Sequence, residues 1–190
     1  METKFKGIIP ELKINKGTKC VEHYIKKLEP YPVVSVNTSG LFNGHIGLIY
    51  EVRRCYPKKF ILRKDFIMTQ LQINESIKAG ANGVLLIKYF LDAVQLSTLL
   101  SYCKKKKIVP FVEIRAIDTS YLKDPGYPIV VNSRSLNSGR PEKELAETIC
   151  LTLKGKSNVI YASGEESDRI LTEKKADGVI IDTGFMQEKI

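Results

Sequence analysis

Short apolar runs recur along this chain about every 25 residues, and a segment with helical spacing of its apolar residues follows most of them. The runs predict eight strands, at 7–13, 32–37, 59–64, 83–88, 108–113, 128–132, 158–162 and 178–182. The segments between them predict helices at 20–28, 46–55, 69–79, 93–106, 141–153 and 165–174. Such alternation is typical of a parallel sheet joined by right-handed crossovers.

Several of the runs are almost wholly apolar, as at 83–87 and 178–181, which indicates strands covered on both faces. Eight such strands favour a closed barrel over an open sheet, and no G-x-G-x-x-G motif follows the first strand. We therefore predict an α/β protein, a single (β/α)8 TIM barrel that forms one domain over 1–190. The chain of 190 residues is short for this fold, which usually needs at least about 200 residues. The prediction therefore includes trimmed loops and a short last helix.

Most of the apolar runs end in a polar residue. These residues are Lys13, Asn37, Lys64, Glu113, Asn132 and Asp182. Because TIM barrels build their active sites at the carboxyl ends of the strands, the pattern predicts an active site at that end.

The net charge of +9 has two interpretations. Clustered Lys and Arg bind nucleic-acid phosphates, whereas a positive enzyme can attract a small anionic substrate. The lysine run at 104–107 falls at the predicted end of a helix, where cations meet the negative end of the helix dipole. Since no RNA-binding motif or zinc finger accompanies the charge, we expect no nucleic-acid partner.

The four cysteines are widely spaced, each within a predicted helix, and only two histidines are present, so we expect reduced thiols and no metal site. Residues 1–6 lack the apolar core of a signal peptide. No apolar run approaches the roughly 20 residues that cross a bilayer. These features predict a cytoplasmic protein with no membrane partner.

The strand ends and their neighbours resemble the indole-3-glycerol-phosphate synthase family, which closes the indole ring in tryptophan biosynthesis. The resemblance runs over 8–186 and is strongest in Leu62-Arg63-Lys64-Asp65-Phe66-Ile67, Gln72-Ile73 and 79–87, with supporting motifs at 35–38, 42–44, 112–114, 132–136 and 163–164. Family members usually carry an extra helix before the barrel, so the resemblance implies a trimmed N-terminal extension.

The resemblance implies a carboxy-lyase that needs no cofactor. Its substrate is a sugar phosphate, 1-(2-carboxyphenylamino)-1-deoxyribulose 5-phosphate, which loses carbon dioxide and water as the ring closes. Other enzymes of tryptophan biosynthesis are the partner proteins that the resemblance suggests. A lysine can serve as the acid when burial or a nearby cation brings its pKa towards neutral. A carboxylate at a strand end can serve as the base.

The matched motifs imply five catalytic residues. Lys64 is the general acid and Glu113 is the general base. Lys13 helps to bind the substrate carboxylate and assists proton transfer, and Glu11 orients the lysines by ion pairing. Asn132 hydrogen-bonds to substrate oxygens.

The same motifs imply two groups of substrate-binding residues. Arg134 adds positive charge near the barrel mouth, and the walls around the aromatic ring are Phe42, Phe66 and Leu136. The residues expected around the phosphate are Lys16, Ser163, Gly164 and Thr183, with Thr18 as a further candidate.

The chain departs from the family pattern at three places. In the family an arginine and serines follow the first-strand lysine, whereas other residue types stand at 14–18 of this chain. Ala162 stands where the family has a glutamate on strand seven, and Asp182 stands where a glycine normally helps to hold phosphate. An aspartate there repels a phosphate unless it points away or pairs with a lysine.

Several alternatives remain open from the sequence. Lys64 and Asp65 can form an ordinary exposed ion pair, and Glu113 can form a structural salt bridge with Arg115 or Lys88. For function, the altered strand ends allow a catalytically degenerate barrel of the same family that binds another anion or a partner protein. A sugar-phosphate isomerase or aldolase on the same barrel is a third possibility, because this fold supports many reactions.

Overall fold

The computed structural model describes residues 4–14, 20–116, 124–135, 140–162 and 167–182. Within these ranges the strands are β1 (Gly7–Leu12), β2 (Val33–Asn37), β3 (Phe60–Lys64), β4 (Gly83–Ile87), β5 (Val109–Ile114), β6 (Ile129–Asn132), β7 (Val159–Ala162) and β8 (Gly178–Asp182). The helices are α1 (Val21–Lys27), α2 (Gly47–Cys55), α3 (Gln70–Ala79), α4 (Ala93–Lys106), α5 (Lys143–Leu153) and α6 (Ser167–Thr172). Two 3₁₀ turns, Gly40–Phe42 and Lys88–Phe90, follow β2 and β4.

The eight strands form a closed parallel barrel in chain order. The barrel is closed by pairing of β1 with β8. This pairing begins at Gly7 opposite Gly178 and ends at Glu11 opposite Asp182. The predicted TIM barrel is therefore confirmed. Seven strands lie within their predicted ranges, and β5 runs one residue further, to Ile114.

The barrel interior is filled by alternate residues of the strands, because successive side chains of a strand point to opposite faces. The buried interior side chains are Ile9, Leu62, Leu85, Ile87, Phe111, Val130, Ile160, Ala162 and Ile180, and Phe5 joins them from the segment before β1. The intervening residues, such as Val34, Val36 and Ile61, pack outward against the helices. The sheet is thus covered on both faces, as its apolar strands predict.

An aromatic cluster closes the amino-terminal end of the barrel. The ring centroid of Phe5 lies 4.8 Å from those of both Phe60 and Phe111. A Cβ atom at Gly83 would lie 3.1 Å from both strand aromatics, so glycine makes room for the two rings. The side chain of Asn158 holds Phe5 in place through two hydrogen bonds of 2.9 Å to its backbone.

Two helices carry reciprocal N-terminal caps, in which the capping side chain and the third helical residue each bond to the other's backbone. These pairs are Thr69 with Gln72 at α3 and Asp92 with Gln95 at α4. Gly80 ends α3 with a φ of 100°, as the sequence predicts for a C-terminal glycine. The lysine run at 104–107 lies at the end of α4, also as predicted.

The predicted start of α5 at Pro141 was wrong. Residues 140–142 pair with 133–135 instead: the backbone N–H of Glu142 donates to the carbonyl of Ser133 at 2.6 Å, and that of Ser135 donates to the carbonyl of Arg140. The helix begins only at Lys143 because the preceding backbone is used in this pairing.

The cysteines form no disulfide and are all described. Cys20 and Cys55 are exposed, whereas Cys103 and Cys150 are buried. Burial raises the pKa of each buried thiol to about 12, which keeps both protonated. Cys20 immediately precedes α1, so its predicted place inside a helix was wrong. Across the described ranges, no helix is long and apolar enough to span a bilayer.

Candidate active site

A ring of mostly polar side chains lies at the carboxyl-terminal end of the barrel and forms its last inward-facing layer. Each member is two residues beyond an inward-facing residue of its strand, so the period of two points it inward as well. The ring consists of Glu11, Asn37, Lys64, Ile87, Glu113, Asn132, Ala162 and Asp182. The sequence therefore places six polar groups where the strands open to the barrel mouth.

Glu11 and Lys64 form an ion pair across the mouth. The Nζ atom of Lys64 lies 2.6 Å from Oε2 of Glu11, and the Nδ2 atom of Asn37 donates to Oε1 of Glu11 at 3.0 Å. Burial alone would raise the pKa of Glu11, but the charge and hydrogen bond of Lys64 outweigh it, with help from Asn37 and Lys13. The pKa of Glu11 is consequently lowered and its carboxylate stays ionised.

The pKa of Lys64 is raised, contrary to the expected shift towards neutral. Burial alone would lower it, but the charges of Glu11, Glu113 and Asp182 and the hydrogen bond to Glu11 favour the ammonium form. Lys64 is therefore protonated in the free protein and can donate a proton. Its side chain is 21% exposed, so it can reach a molecule in the mouth.

Glu113 is almost fully buried, and its carboxyl group accepts a hydrogen bond of 3.2 Å from Nδ2 of Asn132. Burial raises the pKa of Glu113, although the charge of Lys64 and the bond from Asn132 oppose the shift. A carboxylate with a raised pKa is a stronger proton acceptor than an exposed one. Arg115, one of its alternative partners, instead pairs with Glu142 at 2.7 Å.

Lys13 and Asp182 form a looser pair on the β1–β8 side of the mouth. The Nζ atom of Lys13 lies 3.7 Å from Oδ2 of Asp182 and 5.1 Å from the ring centroid of Phe42. The side chains of Lys13 and Asp182 are 31% and 18% exposed. The aspartate at the end of strand eight therefore has a lysine partner.

The alternative pairing of Lys64 with Asp65 was wrong, because Lys64 points into the barrel and pairs with Glu11 instead. Asp65 accepts hydrogen bonds from Arg63 at 2.9 Å and from Thr38 at 2.6 Å outside the barrel. Arg63 also donates to Ser76 of α3 at 3.1 Å. This network joins the residue after β2 to β3 and α3 behind Lys64, and no local sequence pattern predicted it.

Asn132 uses both ends of its side-chain amide within the protein. Its Nδ2 atom donates to Glu113, and its Oδ1 atom accepts from the backbone N–H of Arg134 at 3.0 Å. These bonds orient the carboxyl group of Glu113 and turn the chain after β6. The Arg134 side chain is exposed beyond this turn.

Aromatic side chains line the mouth beside β2, β3 and β4. Phe42 is 42% exposed, and Phe66 packs against Phe90 with ring centroids 5.4 Å apart. Tyr89 contacts Phe90 at 5.2 Å. The sequence reasoning missed Phe90 and Tyr89, although both directly follow the apolar run of β4. The expected positions Lys16, Thr18, Leu136, Ser163, Gly164 and Thr183 lie outside the described residues.

The family model described as "Indole-3-glycerol phosphate synthase" matches residues 13–189. The chain belongs to this family. Two curated relatives with that name come from Campylobacter jejuni (serotype O:6), 31% identical over 153 residues, and Sulfurimonas denitrificans, 32% identical over 156 residues. The alignments cover 78% and 77% of this chain but only 59% and 57% of those relatives.

Solved structures with the same fold include two other barrels. One is 3-hexulose-6-phosphate synthase from Salmonella typhimurium, with a TM-score of 0.69, 16% identity, and coverage of 96% of this chain and 91% of that one. The other is from the tryptophan synthase complex of Pyrococcus furiosus, with a TM-score of 0.70, 15% identity, and coverage of 94% and 88%. At these identities the likeness extends to the fold alone.

Proposed function

We propose that this protein is an indole-3-glycerol-phosphate synthase that acts on 1-(2-carboxyphenylamino)-1-deoxyribulose 5-phosphate. The observation that carries the proposal is the placement of a protonated lysine and a buried glutamate at the same end of the barrel, where the charge of each shifts the pKa of the other. Family membership and the match over 13–189 support it.

Lys64 acts as the general acid. The ring carbon that bears the carboxylate attacks the ketone carbon, and the ammonium of Lys64 protonates the ketone oxygen as the new bond forms. Carbon dioxide then leaves and returns its electron pair to the ring. Glu11, which lies 2.6 Å from Nζ, keeps Lys64 charged and fixes its direction.

Glu113 acts as the general base. Lys64 regains a proton from solvent and donates it to the hydroxyl left by the ketone, which departs as water. Glu113 accepts the proton released from the carbon beside nitrogen. Because burial raises its pKa, Glu113 holds this proton better than an exposed carboxylate would. Asn132 directs the carboxyl group through its hydrogen bond of 3.2 Å.

The anionic groups of the substrate require cations at the mouth. Lys13 is partly exposed on the β1 side, above the ring of Phe42, and is placed to bind the substrate carboxylate. Phe42, Phe66 and Phe90 form an apolar side of the mouth against which the aromatic ring can pack. Holding the two reacting carbons together lowers the entropic part of the barrier.

Product identification tests this proposal. The purified protein is incubated with the ribulose-phosphate substrate, and the product is identified by mass as the substrate less one carbon dioxide and one water. The indole chromophore provides a second readout by fluorescence. Intact substrate after prolonged incubation with a folded protein would reject the activity.

A catalytically degenerate barrel is the second candidate, because Ala162 supplies no polar group to the ring and Asp182 adds negative charge to it. Such a protein would bind an anion or a partner protein without ring closure. Substrate that raises the melting temperature without being converted would favour this candidate. Borohydride reduction distinguishes the synthase and the degenerate barrel from a Schiff-base aldolase, because only an aldolase would leave a trapped substrate adduct on a lysine.

A further inference from the structure

Asp182 gives the mouth one more carboxylate than the proposed acid–base chemistry uses. It is paired in register with Glu11 on the neighbouring strand, so two carboxylates stand side by side at the β1–β8 junction. Like charges on adjacent strands repel unless cations separate or neutralise them. Lys64 neutralises Glu11 at 2.6 Å, and Lys13 neutralises Asp182 at 3.7 Å.

These two ion pairs differ in strength. The Glu11–Lys64 pair is short and mostly buried, with side chains 6% and 21% exposed. The Lys13–Asp182 pair is longer and its side chains are 31% and 18% exposed, so water screens it more strongly. Lys13 also keeps a second favourable contact, with the face of Phe42. The second pair is therefore the one that an incoming anion can break.

We propose that Asp182 is an internal counter-ion that occupies Lys13 in the free protein and yields it to the carboxylate of the substrate. This inference rests on the proposed function, because it takes the carboxylate-binding role of Lys13 from it. Asp182 competes with the substrate carboxylate for one ammonium group. Once that carboxylate leaves as carbon dioxide, Asp182 pairs with Lys13 again, which removes attraction for a further anion while the product departs. Asp182 is thus a positioning residue for Lys13.

The competition predicts an unusual result: removing the charge of Asp182 tightens the binding of carboxylates. The probe is N-methylanthranilate, a fluorescent carboxylate that reproduces the arylamine part of the substrate and does not react. Asp182→Asn should lower its Kd by about two- to five-fold relative to the unsubstituted protein, as expected for loss of a partly exposed competing charge. N-methylaniline, which lacks the carboxylate, should bind both proteins equally.

Further variants control the experiment. Glu29→Gln changes the net charge equally but lies between α1 and β2, at the opposite end of the barrel, and should leave the Kd unchanged. Asp182→Glu keeps the charge and should bind no more tightly than the original. In a Lys13→Met background, Asp182→Asn should have no effect, because the contested ammonium is gone. Asp182→Ser replaces Asp182→Asn if the latter does not fold, as judged by circular dichroism.

Because the readout is equilibrium binding, it does not depend on turnover. Tighter carboxylate binding by Asp182→Asn without ring closure by the original protein would retain the counter-ion role and reject the synthase activity. Equal or weaker binding by Asp182→Asn, or no carboxylate-dependent binding by either protein, would overturn the inference even if the protein is a synthase.

Discussion

The ammonium of Lys64 lies 2.6 Å from a carboxylate oxygen of Glu11, and this ion pair joins the ends of β3 and β1 inside the barrel. Its partners shift the pKa of Lys64 upwards despite burial. The free protein thus holds a lysine that is charged and directed at the mouth. A general acid must carry its proton at neutral pH, and Lys64 meets this first requirement of the proposed ring closure.

Replacing Glu11 with Gln should make the activity fall off at a lower pH on the alkaline side of its pH profile. Glu11 is the largest single cause that raises the pKa of Lys64, so its loss leaves the lowering effect of burial less strongly opposed by Glu113 and Asp182. Because the general acid must be protonated, the alkaline limb of kcat/KM should move to lower pH. Glu22→Gln, at an exposed carboxylate of α1, is the control. An unchanged limb would separate Glu11 from the ionisation of Lys64.

Replacing Asn132 with Ala should shift the acidic limb instead. The hydrogen bond from Asn132 favours the ionised form of Glu113, so its removal should raise the pKa of Glu113 further. The base must be deprotonated to act, and the acidic limb of kcat/KM should therefore move to higher pH. We expect activity above that limb to persist at a reduced level. A shift to lower pH would contradict the assigned partnership.

The free energy of unfolding should fall as the pH rises because of Glu113. Its pKa is raised in the folded protein, so the folded state holds a proton at pH values where the unfolded chain has released it. This contribution is present below the unfolded pKa and is lost as the pH rises through the folded pKa. Glu113→Gln should remove that pH dependence and raise the free energy of unfolding near pH 8 relative to the original protein. Urea unfolding from pH 4 to 8 measures the free energy of unfolding of both proteins. If that free energy falls more with rising pH in the variant than in the original protein, the result is inconsistent with a raised pKa of Glu113.

Replacing Gly83 with Ala should destabilise the fold without touching the mouth. The added methyl would lie 3.1 Å from the rings of Phe60 and Phe111 in the closed end of the barrel. Overpacking of this kind costs about 1–3 kcal/mol of unfolding free energy. Gly40→Ala is the matched control, because a Cβ atom there has no neighbour within 4 Å. Equal stability of the two variants would contradict the packing at this end.

The barrel could be predicted from the sequence because its strands are almost wholly apolar and covered on both faces. Polar residues such as Lys64 and Glu113 then mark the strand ends, where the apolar pattern stops. The residue at which a helix begins was harder to predict, as Pro141 shows. Proline suits the first turn of a helix, but the hydrogen bond from Glu142 to Ser133 depends on a contact that no local pattern records.

The partners of the site residues were less predictable than their positions. A sequence neighbour such as Asp65 is an obvious partner for Lys64, yet Lys64 points into the barrel and Asp65 bonds to Arg63 outside it. The direction of the Lys64 pKa shift also depends on how many carboxylates surround it in three dimensions. Asp182 belongs to that set only because β8 closes against β1.

The most direct test of the proposed function is steady-state turnover of the ribulose-phosphate substrate, followed by indole fluorescence, with Lys64→Ala and Glu113→Gln as comparisons. Loss of a general acid or base typically lowers the rate by about 10²–10⁴-fold, and we predict a fall in kcat of this size for each variant, with the fold retained. No indole formation by the original protein, or equal rates in the original and Lys64→Ala, would contradict the account.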